Sequence, residues 1–288
     1  MTTLVEPPTR GPLAGIQSLE LEITGKCQLT CTHCLSETSP QASHGEMTPA
    51  DWLSVIIDAA ALGIRTVQLI GGEPTTHPNW RQFTEVALSL DLDVEVFSNL
   101  FHVTGEWSVF ERNGVTLGTS YYSDDPEEHD RITGRAGSYV RPPDAHPGSG
   151  QPRNHPPGRN RGSAAGAAGP GSTRRTAVHG CGAGPDQDGP GPSGRTRHAP
   201  GAGADAEMCG QCTRGRAAIL PNGDLAGCVL SRDFPAGNVR ETRLAELFDG
   251  KEWHALAARI PEPVRNACTP NDSSDCNPAS TTACGPKY

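Results

Sequence analysis

The chain has 288 residues and a formal net charge of −9 at pH 7, which excludes a broad basic surface for nucleic acid. No stretch approaches the roughly 18–20 apolar residues of a membrane span, and residues 1–13 lack a basic region followed by an apolar run, so no signal peptide and a cytoplasmic location are expected. The 34 Gly and 26 Pro against 4 Trp, 4 Tyr and 6 Phe allow a core, but not one spread evenly along the chain.

Residues 15–140 read as alternating strands and helices. Leu19, Leu21 and Ile23 alternate with Glu20, Glu22 and Thr24, the pattern of a half-buried strand. Thr48-Pro49-Ala50-Asp51 supplies an N-cap, a proline at the first helical position and an acidic first turn. Trp52, Val55, Ile56, Ala59 and Ala60 then follow at helical spacing, and Gly63 is placed to end the helix. Thr66–Ile70 is a second strand, stopped by Gly71-Gly72. Pro78–Leu90 reads as a helix, Val94–Phe97 as a third strand and Val115–Tyr122 as a fourth. This order predicts a parallel sheet with right-handed crossovers, whose chemistry sits at the C-terminal strand ends.

Residues 141–206 are of another kind. They contain no Leu, Ile, Met, Phe, Tyr, Trp or Lys and a single valine, Val178, amid Gly, Pro, Ala and Arg. Such a stretch cannot build a core and is expected to be disordered. A long structureless stretch inside a compact domain counts against a simple linker. Gly, Pro, Ala and Arg are encoded largely by G/C-only codons, so a GC-rich gene read out of frame gives this mixture. The expected reading is a frameshifted segment, whose basic charge and whose Cys181 carry no role.

Residues 207–288 return to ordinary composition. Arg216–Leu220 reads as a short strand, Pro221-Asn222-Gly223-Asp224 as a tight hairpin turn, and Leu225–Leu230 as the returning strand. A helix starts at Thr242 and carries Leu244, Leu247, Phe248 and Trp253. The tail from Cys268 to Tyr288 is rich in Pro, Asn and Ser and needs a metal or crosslink to hold a shape.

The chain has 10 cysteines. In a reducing compartment they point to metal ligation before disulfides. Cys27-x3-Cys31-x2-Cys34 lies in the loop leaving the first strand. Three thiolates on one short loop can wrap a [4Fe–4S] cube and leave one iron open for a reacting ligand. A zinc loop completed by His33 or His44 is the alternative. After the second strand comes Gly71-Gly72-Glu73-Pro74. Its glycines permit close backbone approach, and Glu73 offers a carboxylate to a cationic group.

Together these motifs resemble the radical S-adenosylmethionine (SAM) superfamily. The resemblance implies a partial (β/α) barrel, normally of six units, here truncated or disrupted in the middle. It implies a [4Fe–4S] cluster on Cys27, Cys31 and Cys34 whose open iron chelates SAM. It implies that Gly71, Gly72, Glu73 and Pro74 contact the SAM amino group, and that Ser98, Asn99 and Ser120 stand where the family contacts SAM. The segment from His129 to Tyr139 resembles the close of the fourth unit in peptide-modifying members.

Cys212-x10-Gly223-x4-Cys228 resembles the opening of the SPASM extension, which holds auxiliary iron–sulfur clusters. Cys209, Cys268, Cys276 and Cys284 are further ligand candidates, although their C-x7-C-x7-C spacing departs from the family's and a zinc ribbon stays open. The organisation so implied is a barrel part at 15–140, the anomalous stretch at 141–206 and a SPASM-like part at 207–288. The function implied is radical chemistry on a ribosomally made peptide, fed by an electron donor such as flavodoxin or ferredoxin, with neither nucleic acid nor membrane as partner. A small-molecule substrate and an inactive metal-binding remnant are the competing readings.

Overall fold

The computed structural model describes residues 15–32, 34, 36, 38–101, 107–120, 122–139, 177–179 and 210–262. Its strands are β1 (Ser18–Thr24), β2 (Thr66–Gly71), β3 (Asp93–Phe97), β4 (Val115–Ser120), β5 (Ala177–His179), β6 (Arg216–Ile219) and β7 (Leu225–Ala226). They form one sheet in the order β5-β4-β3-β2-β1-β6-β7. Every neighbouring pair is parallel except the β6–β7 hairpin. The helices are α1 (Pro49–Ala61), α2 (Trp80–Ser89), α3 (Trp107–Phe110), α4 (Pro126–Thr133), α5 (Leu244–Asp249) and α6 (Lys251–Arg259). Among the described residues no helix is long and apolar enough to cross a membrane.

Local chemistry accounts for the main elements. Thr48 and Asp51 form a reciprocal capping box around Pro49, so α1 begins where its orphan N–H groups are satisfied. It ends at Leu62, and Gly63 takes φ +75° to turn the chain into β2. Trp52, Val55, Ile56 and Ala59 of α1 join Leu19, Leu21, Ile23 and Phe83 in one core. The same core takes in Leu225, Leu244, Phe248 and Trp253, so the β6–α6 part packs on the β1–β4 part without a boundary.

Several expectations are corrected. β1 is buried on both faces, not one, because Glu20 and Glu22 find cations there. Arg216 pairs with Glu20 at 3.4 Å, and Arg232 reaches both oxygens of Glu22 at 3.1 and 3.3 Å. Burial still holds both carboxyls above the usual carboxylate range, with the arginines pulling the other way. The helix expected from Pro78 starts at Trp80, after a separate 3-10 turn at Pro74–Thr76. The helix expected from Thr242 is two, because Gly250 adopts extended backbone between α5 and α6. The returning strand at Leu225 is two residues long and gives way to a 3-10 turn at Val229–Ser231. Asn222-Gly223 is not a type I′ turn: only Gly223 has positive φ (+92°), and the Asn222 side chain instead accepts from Asp224 N at 3.1 Å.

Two helices lay outside the sequence reading. α4 has a plain signal in retrospect: Asp125 caps, Pro126 opens, and Glu127 and Glu128 occupy the first turn. Within 141–206 the described residues are 177–179, which form β5 around Val178 in register with Gly118–Ser120; composition did not predict this strand.

Replacing Arg232 with Ala leaves Glu22, 2% exposed, without its cation. The expected loss in denaturant unfolding is about 3 kcal/mol, and pairing it with Glu22→Gln should recover most of that loss.

Candidate iron–sulfur and SAM site

The C-terminal ends of β1, β2 and β3 meet at the cysteine loop. Its root is fastened to the turn after β2: Gly72 N donates to Thr24 O and Glu73 N to Lys26 O, each at 2.8 Å. A Cβ on Gly72 would lie 2.4 Å from Lys26 O and 2.9 Å from Cys27 Cβ, and one on Gly71 2.4 Å from Thr24 O. The paired glycines are thus required by the close approach of this protein's own loop. The far end of the loop is closed by Cys27 N donating to Ser39 O at 3.1 Å.

Glu73 is fully buried, and its carboxylate is a hub. Oε1 accepts from Thr75 N, Thr75 Oγ1 and Ser98 Oγ at 3.1, 2.6 and 2.9 Å, and Oε2 accepts from Asn99 N at 2.7 Å. Burial pushes its carboxyl up, and these donors pull it down. The carboxylate therefore binds the next strand end, whereas the sequence reading offered it to a cationic ligand. Pro74 opens the 3-10 turn that carries Thr75. Asn99 Oδ1 accepts from Phe101 N at 3.0 Å, while Asn99 Nδ2 approaches Gln28 Oε1 at 3.4 Å and Cys27 Sγ at 3.5 Å. Leu100 takes φ +60°, a strained value for a leucine, and Ser98 Oγ accepts its N–H at 3.0 Å. Cys27, Gly71, Gly72, Glu73, Pro74, Ser98 and Asn99 are therefore brought together. Ser120 closes β4 opposite His179 of β5.

The three thiols are within electrostatic reach of one another. Burial, then the thiols of Cys27 and Cys34, push Cys31 up to about 11; burial likewise raises Cys27. A bound cationic iron cluster reverses that balance, since a coordinating thiol is deprotonated. Gln28 Nε2, inside the same loop, is buried without a hydrogen-bond partner, a donor that a sulfide or carboxylate acceptor would satisfy. Among the described residues no three thiol, imidazole or carboxylate groups close on a point as a single ion requires. A cubane instead offers a separate iron to each sulfur. His44, offered for zinc, has its Nδ1 at 2.8 Å from Thr24 Oγ1 and its ring against His77. His33 lies outside the described residues. The loop residues fit a [4Fe–4S] cluster.

Sequence reasoning missed what grips this loop from above. The last carbonyls of α4 accept from it: Thr30 N reaches Thr133 O at 3.0 Å and Thr32 N reaches Ile132 O at 2.9 Å. Gly134, at φ +69°, passes so near that a Cβ would lie 2.3 Å from Thr30 Oγ1. Arg135 donates to Gln28 O at 3.1 Å and covers the Phe101 ring. The His129–Tyr139 segment held the signal, but no residue-level role followed from it.

Cys212 and Cys228 form a second thiol group, both buried, with sulfurs 3.0 Å apart. The Cys212 thiol beside Cys228 brings the latter down to about 7. Gly227 permits the approach, since a Cβ there would lie 2.9 Å from Cys212 Cβ. Cys209, Cys268, Cys276 and Cys284 lie outside the described residues.

A family model described as the radical SAM superfamily matches residues 21–142, and one described as the SPASM iron–sulfur cluster-binding domain matches residues 209–277. The PqqA peptide cyclase of Gluconobacter oxydans is 34% identical over 98 residues, 34% of this chain and 24% of that protein. The S-adenosylmethionine-dependent nucleotide dehydratase of a Thermoplasmatales archaeon is 27% identical over 116 residues, 40% and 41% of the two chains. The chain thus spans a quarter to two-fifths of the length of these curated relatives. Two solved structures share the fold at 12% identity and a TM-score of 0.52: BtrN in complex with AdoMet and 2-DOIA, covering 92% of both chains, and Streptococcus suis SuiB, covering 84% of this chain and 67% of that one.

Replacing Cys27, Cys31 and Cys34 together with Ala should remove about four irons per chain after anaerobic reconstitution. If an iron–sulfur absorption band survives in that variant, the Cys212/Cys228 site holds a cluster; if only zinc is retained, it is a ribbon.

Proposed function

We propose that this chain, whose residues 21–142 match the radical SAM superfamily and residues 209–277 the SPASM iron–sulfur cluster-binding domain, derives from an enzyme that cleaves SAM reductively to modify a ribosomally made peptide. The observation that carries the reading is the cysteine loop, rooted on Gly72 and Glu73 at the strand ends where α/β folds place chemistry. A cluster bound there supplies the electron that cleaves SAM to methionine and a 5′-deoxyadenosyl radical, which abstracts a substrate hydrogen.

The chain's own residues do the positioning. Cys27, Cys31 and Cys34 are the cluster ligands. Gly71–Pro74, Ser98, Asn99 and Ser120 line the SAM side, with Glu73 acting through Ser98 and Asn99, which it holds. Cys212 and Cys228, with cysteines among Cys209, Cys268, Cys276 and Cys284, hold an auxiliary cluster. The peptide substrate is supported by relatives named for peptide cyclisation; a flavodoxin or ferredoxin is the electron donor.

One observation favours a second reading for the chain as it stands. Beyond β4 the described sheet has a single three-residue strand, β5. Two further strand–helix units cannot be drawn from residues 141–206, with one valine and no larger aliphatic or aromatic residue. We read that stretch as out of frame, and the present chain as a cluster-binding remnant without turnover.

The test has two arms. Translating the other two frames of the gene across codons 141–206 should reveal strand–helix–strand periodicity rich in Leu, Ile and Val. The frame-restored protein with SAM and dithionite should release 5′-deoxyadenosine, and the present chain should release at least a hundredfold less. Equal turnover by the present chain defeats the remnant reading. No cleavage by either protein defeats the radical SAM activity.

A further inference from the structure

The sulfurs of the cysteine loop meet hydrogen-bond donors beyond its own backbone. Cys27 Sγ accepts from Leu29 N at 3.4 Å. Thr38 Oγ1 stands 3.2 Å from Cys34 Sγ. The side chain of Tyr122, just past the end of β4, stands near enough for its hydroxyl to act on the Cys31 thiol. A metal-bound cysteine is a thiolate, which only accepts, so each hydroxyl must then be the donor.

Neither hydroxyl is placed by chance of a flexible side chain. The Tyr122 ring packs on that of His129, centroids 5.6 Å apart, and His129 is 6% exposed. His129 Nδ1 lies 3.3 Å from Ser138 Oγ, which donates to Asp130 Oδ1 at 2.9 Å. Asp130 also accepts from Tyr139 N at 3.0 Å. The residues after α4 thus fold back to fix His129, and His129 fixes the tyrosine. Thr38 precedes Ser39, which Cys27 N and Gly25 O hold at the root of the loop.

We propose that Tyr122 and Thr38 are tuning residues of the SAM-binding cluster: their hydroxyls donate to the thiolates of Cys31 and Cys34 and set its reduction potential. The proposal rests on the reading that Cys27, Cys31 and Cys34 hold a [4Fe–4S] cluster. Reduction adds negative charge, which spreads onto the sulfurs, so a donor to sulfur stabilises the reduced form more than the oxidised one. Removing a donor makes the cluster harder to reduce.

The test is an anaerobic redox titration of the reconstituted full chain, followed by the paramagnetic signal of the reduced cluster. Subtracting the Cys27/Cys31/Cys34→Ala chain removes any auxiliary signal. Tyr122→Phe and Thr38→Val should keep wild-type iron content. Each should raise the oxidised-to-reduced ratio at a fixed potential about tenfold, which is about 59 mV downward for a one-electron couple. Thr38→Ser, which keeps the hydroxyl, should titrate like the wild type.

Iron-replete Tyr122→Phe and Thr38→Val chains with the wild-type potential, or a higher one, overturn the proposal. So does loss of iron from either, because that would make the hydroxyl a structural support of the loop. A shift in Thr38→Ser equal to that in Thr38→Val also overturns it. A wild-type chain whose signal vanishes entirely on subtraction has no cluster on these cysteines; that outcome defeats the underlying reading, and is distinct from every failure of the variants.

Discussion

Glu73 ties together the ends of three strands, β1, β2 and β3. It is fully buried, sits just after β2, and binds Ser98 and Asn99 just after β3. Its own backbone N–H fastens the exit of β1 at Lys26. A buried carboxylate without partners would be prohibitive, and here Thr75, Ser98 and Asn99 supply four donors. Their geometry in turn fixes Asn99 beside Cys27 and Gln28. The root of the cysteine loop is therefore held by the protein's own hydrogen bonds.

A second grip comes from the opposite side. The carbonyls at the end of α4 are the orphan acceptors every helix leaves. Here they take the N–H groups of Thr30 and Thr32. The loop's own polar groups and the helix's unsatisfied ones solve each other's problem, and Gly134 provides the room. A cysteine loop held at its root by β2 and at its crest by α4 presents its thiols in a limited set of geometries. That is what a cluster with one open iron needs, since preorganised ligands cost less ordering entropy on binding.

The C-terminal part is joined to the sheet by the same economy of buried charge. Glu20 accepts from Val229 N at 3.0 Å and pairs with Arg216, while Glu22 holds Arg232. These contacts seat the segment carrying Cys228 against β1. Cys228 and Cys212 are then brought together across Gly227. Both thiol groups among the described residues are thus referenced to one strand.

Periodicity and local signals determined the β1–β4 and α1–α2 succession, because alternation, capping and glycine stops act within a few residues of chain. They also exposed the three cysteines of the loop and the Gly71–Pro74 turn, whose spacing is itself the signal. What they could not carry was anything decided by a distant partner. The alternation in β1 reads as one wet face, yet Arg216 and Arg232 bury it from 196 and 210 residues away. Glu73 reads as a ligand for a cation until Ser98 and Asn99 arrive from the next strand. Gly71-Gly72 reads as a turn, whereas the backbone of Thr24 and Lys26 occupies the space a side chain would need. Tyr122, Thr38 and the clasp of α4 bear no motif at all: a hydroxyl becomes a donor to a thiolate only where the fold aims it, and aim is a property of tertiary packing.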